Sequence, residues 1–175
     1  LPLALITVLP ATTTFQRTLT WSSELRMTRA AVAHHPESPR SGYAYANALV
    51  RASTRTSSEE LVDQYLALAR HEFELIAQRR DDEFAALVML HIVDSRLYRG
   101  IGNPEKWLGE IEAWIATAVP SNADFAAIKA LVECQQEGNC TMDERRLDGL
   151  LKEFQAKFSK PHAVARLRAA LVRND

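Results

Sequence analysis

Apolar positions recur at three- and four-residue spacing along most of the chain, the signature of amphipathic helices. From Phe15 onward Leu19, Leu25, Met27, Ala30, Ala31 and Val32 mark one face, predicting a helix that ends near His34-His35. Pro36 stops it, Ser38 is placed as the next N-cap, and Pro39 suits a first helical turn. That second helix carries Tyr43, Tyr45, Ala46, Leu49 and Val50 inward and stops around Ser53. Ser57 or Ser58 caps a third, over 59–78, with Leu61, Tyr65, Leu68, Ala69, Phe73 and Ile76 on its inner face. Asp81 or Asp82 opens a fourth, over 83–98, rich in apolar residues and carrying His91, and Gly100, Gly102 and Pro104 close it off.

Asn103-Pro104-Glu105 is a strong start signal: a cap, a Pro at the first helical position, then an acid. The fifth helix, over 104–119, puts Trp107, Leu108, Ile111, Trp114 and Ile115 on one face. After Pro120, Ser121 or Asn122 caps a sixth that holds Phe125, Ile128, Leu131 and Val132 and ends at Gly138. Thr141-Met142-Asp143-Glu144 resembles a capping box for a seventh, with Leu147, Leu150, Leu151, Phe154 and Phe158. Lys160-Pro161 separates a last short helix over 163–172. The expected fold is all-α, about eight helices joined by short loops, hence antiparallel hairpins in series, each burying its face on the next.

Composition agrees with this picture. Six glycines in 175 residues, with abundant Ala, Leu, Arg and Glu, favour helix. Apolar residues at 47% and charged residues at 25% describe an ordinary globular chain with enough length for one core. A net charge of −1 gives no polyanion-binding surface, so no nucleic-acid partner is expected. Arg79-Arg80 and Arg145-Arg146 lie beside Asp81-Asp82 and Asp143-Glu144, as on a solvated helix face.

Two features bear on compartment. Cys134 and Cys140 flank Gln-Gln-Glu-Gly-Asn, whose Gly-Asn is a helix stop and turn, so the chain can fold back and bring the sulfurs together. A disulfide there implies an oxidising compartment; the other reading is two free thiols, one buried. At the N-terminus Leu3 to Leu9 is an apolar run between prolines, too short for the roughly 20 residues that span a bilayer. It reads either as the tail of a membrane helix leaving the bilayer near Pro10 or as a short arm or strand against the domain. The chain divides into a linker or membrane-exit segment at 1–14 and a helical domain at 15–175.

The segment Ala31-Val32-Ala33-His34-His35-Pro36 resembles the end of the second helix of a tetratricopeptide repeat, and Tyr45-Ala46-Asn47-Ala48-Leu49 resembles the first helix of the next. Ala46 and Ala31 stand where that family has small residues for close helix approach, with Trp21 and Leu25 on the helix before the turn. The match is specific over about 35 residues and decays beyond Ser53. It implies a right-handed solenoid of helical hairpins that serves as a protein–protein interaction scaffold. A membrane-leaving segment, a Trp-bearing helix and the HPESPR turn together are similar to the C-terminal periplasmic domain of bacterial polytopic proteins with a glycosyltransferase-like or O-antigen-ligase-like membrane portion. That resemblance implies a tether through a missing N-terminal portion, partners among proteins, peptides or glycan-assembly components, and catalytic machinery elsewhere in the parent.

Candidate chemistry within the chain is sparse. His34-His35 at a helix end suits the negative end of the helix dipole better than a metal, since adjacent helical residues diverge. His91 and Asp94 sit three apart, and an Asp could orient a His base, but no nucleophile or third ligand accompanies them. His71-Glu72 lacks the second His of a zinc hydrolase, His162 opens a helix, and no phosphate-cradling Gly-rich loop or nucleophile elbow occurs. No metal, cofactor or catalytic residue is therefore assigned. Binding candidates are Tyr43, Tyr45, Asn47, Arg51, Tyr65 and Arg96, with Arg55 and Tyr98 beside them, as a concave groove rich in Tyr and Arg. The competing reading makes the tyrosines packing residues between hairpins, and Trp107 and Trp114 core. The leading expectation is a periplasmic interaction scaffold; the alternatives are a small all-α enzyme using His91 and Asp94 between helices, and a cytosolic adaptor with free thiols.

Overall fold

A computed structural model describes residues 23–79, 83–97, 102–140 and 142–171. Among them are eight α-helices and no strands: α1 Glu24–His34, α2 Pro39–Ser53, α3 Glu59–Ala77, α4 Glu83–Arg96, α5 Pro104–Thr117, α6 Asn122–Gln136, α7 Glu144–Lys157 and α8 Pro161–Leu171. The segment 1–14, Trp21, Asp81, Asp82, Tyr98, Gly100 and Thr141 lie outside the described residues.

Caps set the helix starts. Ser38, Ser58, Asn103 and Ser121 each accept a hydrogen bond from a backbone N–H in the first turn of the helix that follows, relieving its orphan donors. Two expectations are corrected. Helix α1 begins at Glu24, because Ser23 has extended backbone and its side chain caps Arg26 N; the helix does not run unbroken from Phe15. The cap that opens α7 is Asp143, which accepts from Arg145 N and Arg146 N, two residues later than the Thr141 at which the sequence placed it. A reciprocal capping box forms instead at Ser121 and Asp124.

Helices α1 to α5 pack in chain order, each against the next, and then the order changes. Helix α6 lies closely on α4 rather than on α5, α7 on α5, and α8 on both α6 and α7. The expected series of consecutive hairpins holds for the first half only. The cause is α4. From Phe84 to Val93 every residue but Ala85 is buried, so α4 is covered on all sides, as a helix apolar all round must be. It is the axle of the molecule, gripped by α3, α5 and α6.

Burial on α3 also departs from the expected face. Leu66, Ala69, Phe73 and Ile76 form the inward stripe, whereas Leu61 and Leu68, expected inside, are 40% and 49% exposed. On α2, Gly42 and Ala46 are buried, and small residues there let α3 approach closely. The aromatic core runs from Tyr43 edge-on to Phe73, through Phe84 against Trp114 and Phe154, to Phe158 stacked on Phe125. Among the described residues no helix is long and apolar enough to cross a membrane.

Helix α6 ends in a covalent lock. Cys134 and Cys140 form a disulfide with their Cα atoms 5.3 Å apart, both sulfurs' residues buried. Gly138, at φ 71°, turns the chain back, and the Asn139 and Cys140 N–H groups both donate to the Cys134 carbonyl. Gln135 holds the exit by donating to Met142 O and accepting from Met142 N.

The face assignment on α3 predicts unequal responses to truncation. Phe73→Ala lowers unfolding free energy by about 3–5 kcal/mol, because it empties a fully buried aromatic site. Leu68→Ala costs about 1 kcal/mol or less. Urea denaturation of the two variants checks the contrast.

Candidate functional site

The residue pair nominated for chemistry, His91 and Asp94, sits on the buried axle. His91 is 0% exposed and its Nδ1 lies 2.9 Å from the carbonyl oxygen of Pro104. Asp94, whose side chain is wholly buried, does not bond His91. Its Oδ1 accepts from Arg70 Nε of α3 at 2.8 Å. Its Oδ2 accepts from the Asn103 backbone N–H at 2.8 Å and the Trp107 indole N–H at 2.7 Å. Gly102 passes so close that a Cβ there would fall 2.6 Å from Asp94 Cβ and 2.7 Å from its Cα. The carboxylate is thus a buried tie between α3, α4 and the first turn of α5, with both oxygens hydrogen-bonded. The inter-helix His/Asp site expected of an enzyme is not assembled: both groups are closed off from solvent, and each serves a different partner.

Burial sets the state of His91. Loss of solvation, the largest influence, holds its pKa below the ordinary histidine range, against smaller opposing contributions from the Pro104 hydrogen bond and the Glu105 and Asp94 charges. Between α5 and α7 a second charged cluster forms: Arg146 reaches Glu112 through Nε at 2.6 Å and Nη2 at 3.0 Å, and Glu105 through Nη1 at 2.7 Å. The Arg146 hydrogen bonds hold Glu112 below the usual carboxylate range. Lys157 closes the same face by donating to two carbonyls in the last turn of α5, Ile115 O at 2.6 Å and Ala116 O at 2.7 Å. Among the described residues no group of three His, Cys, Asp or Glu side chains could hold a metal ion.

The six groove candidates do not gather in one place. Tyr43 is half-buried against Phe73, and Tyr45 also packs on the core. Asn47 donates to Tyr43 O one turn back, a bond within α2. Arg51 pairs with Glu24 of α1. Arg96 points the other way, 3.8 Å from Glu137 beside the disulfide loop. Tyr65 alone of the six lines an open cleft of about 280 Å³ between α1, α2 and α3, with Leu25, Ala48, Ala52, Arg55 and Thr56.

Sequence reasoning missed the surface beside that cleft. Leu61, Leu68 and Leu75 are 40%, 49% and 38% exposed, spaced by seven residues along α3, and therefore stacked on one side of the helix, with Leu61 and Leu68 about a turn from Tyr65. The heptad spacing was visible in the sequence, but an identical spacing relates Leu66 to Phe73 and Ala69 to Ile76, so spacing alone did not say which set faces water.

Comparison of the chain with protein-family models, curated proteins and solved structures finds no match to any of them.

Asp94→Asn replaces an acceptor of three bonds by an amide that presents hydrogens to one of its donors. It lowers stability by about 3–5 kcal/mol, the scale for breaking a buried ion pair on one side. Gly102→Ala is destabilising as well, since the added methyl meets Asp94 backbone. Thermal and urea unfolding of both variants, with helix content by circular dichroism, tests the tie.

Proposed function

We propose that this chain is an interaction domain: a TPR-like, right-handed helical scaffold that binds a protein or peptide, carried on the periplasmic side of a bacterial membrane protein concerned with cell-surface glycan or protein glycosylation. In this reading residues 1–14 lead from the membrane, residues 15–175 form the binding domain, and the fragment itself performs no catalysis. The observation that carries the binding part is the run Leu61, Tyr65, Leu68 and Leu75 along α3, an apolar ridge on water beside an open cleft with the Arg55 guanidinium at its edge. Clustered exposed apolar groups rimmed by polar ones mark interaction surfaces more often than isolated ones do. The junction around Pro36, with its TPR-like residues, adds the fold-level analogy.

The Cys134–Cys140 bond supports the oxidising compartment and counts against the cytosolic adaptor. The burial of His91 and Asp94 counts against the enzyme that uses them.

Selection of a random peptide library displayed on phage, with the chain as bait, tests the binding reading. Recovered peptides are expected to carry apolar residues at helical or extended spacing and to lose at least tenfold in affinity to a Tyr65→Ala/Leu68→Glu variant. Failure to enrich any peptide, or binding unchanged in that variant, counts against the surface named here. For the compartment, protein purified without reductant and then denatured is expected to show no reactive thiol; two thiols in fresh material remove the periplasmic assignment. Cys134→Ser/Cys140→Ser is expected to cost about 2 kcal/mol, the loop-closure entropy of so short a ring.

A further inference from the structure

His91, wholly buried on α4, has one polar atom served and one left over; among the described residues the only other buried side-chain polar atom without a hydrogen-bond partner is Arg96 Nε, on a guanidinium that reaches Glu137 at the surface. A carbonyl only accepts, so Nδ1 carries the proton donated to Pro104 O, and the neutral ring leaves Nε2 as an acceptor. Nε2 has no hydrogen-bond partner among the described residues. A second proton would go to Nε2, turning it into a donor and the ring into a cation where no acceptor waits and no surface is exposed.

The charged groups around the ring do not rescue it. On α4 itself Asp94 is bound by Arg70 of α3, by Asn103 N and by Trp107. Glu105 of α5 is taken by Arg146 of α7, and that guanidinium opposes a further positive charge. Helix α6 keeps Lys129 and Glu133 paired with each other on the surface. Meanwhile the bond from His91 and the two bonds from Asp94 fix the same short stretch, Asn103 to Trp107, where α5 starts.

We propose that this α4–α5 corner is an acid-sensitive latch: a proton taken by His91 Nε2 is accommodated by parting the first turn of α5 from α4, which uncovers the Trp107 indole and the Asp94 carboxylate. The direction follows from linkage. Above the ordinary histidine range the ring is neutral in both the shut and the open corner, and pH has no effect. As pH falls through that range the open form takes the proton first, because the shut form holds the ring's pKa down, so opening grows. It levels off once the shut form also titrates, and one proton limits the change to about tenfold per pH unit. The latch is independent of what the ridge on α3 binds.

Amide exchange at residues 103–108 and the Trp107 indole resonance, followed by NMR from pH 7.5 to 5, test it on the whole chain. Protection of those amides is expected to fall several-fold below about pH 6.5, with the indole shifting at the same midpoint as the His91 ring. His91→Gln, which keeps a neutral donor for Pro104 O, is expected to flatten both profiles. A His91 ring that titrates at the ordinary value with Trp107 unmoved overturns the latch, and so does the same acid response in His91→Gln. Should that variant fail to fold, the wild-type midpoints decide: coincidence of ring and indole supports the latch, and separation overturns it.

Discussion

The structure depends on one carboxylate. Asp94 is taken wholly out of water and accepts from three donors at once: a guanidinium of α3, the backbone at the cap of α5, and the indole of Trp107 in the first turn of α5. A buried carboxylate is expensive unless it is paired and hydrogen-bonded, and here both oxygens accept, from three donors in all. The arrangement makes the geometry of the corner close to all-or-none. Gly102 must lack a side chain, Asn103 must cap, Pro104 must open the helix, and Trp107 must lie back across α4.

Around that corner α4 acts as the axle. Because it is apolar on every side it accepts α3, α5 and α6 together, and this explains why the simple chain-order packing of the first half gives way in the second. Charged groups then secure the outer layer at its edges: Arg146 bridges α7 to α5, Arg168 joins α8 to Asp148 of α7, and Lys157 serves the carbonyl end of α5. Exposed pairs of this kind contribute modestly. Arg146 and Lys157 tie α7 to α5, two helices earlier in the chain, and Arg168 ties α8 to its neighbour α7.

The two ends of the molecule differ in character. The C-terminal half is stapled by the disulfide and by Gln135 on Met142. At the α1–α3 end Thr28 is the one buried residue of α1, and the leucine ridge and the Tyr65 cleft lie on the surface there.

The sequence by itself determined what is local. Pro39, Pro104 and Pro161 at helix starts, Ser or Asn caps before them or their neighbours, and Gly138 after α6 are encoded within a turn or so of chain, and the eight helices and the cysteine pair follow from them. What only the tertiary structure decided is long-range. On α3 two apolar sets share the same seven-residue spacing, and the neighbours α2 and α4 chose Leu66, Ala69, Phe73 and Ile76 for the core, leaving Leu61, Leu68 and Leu75 outside. His91 and Asp94 looked like a pair because they lie three apart on one helix; their partners come from residues 70, 103, 104 and 107, which no helical periodicity connects. Spacing fixes which residues share a face, but the partner that covers a face, and so what each side chain does there, is set by the packing of distant segments.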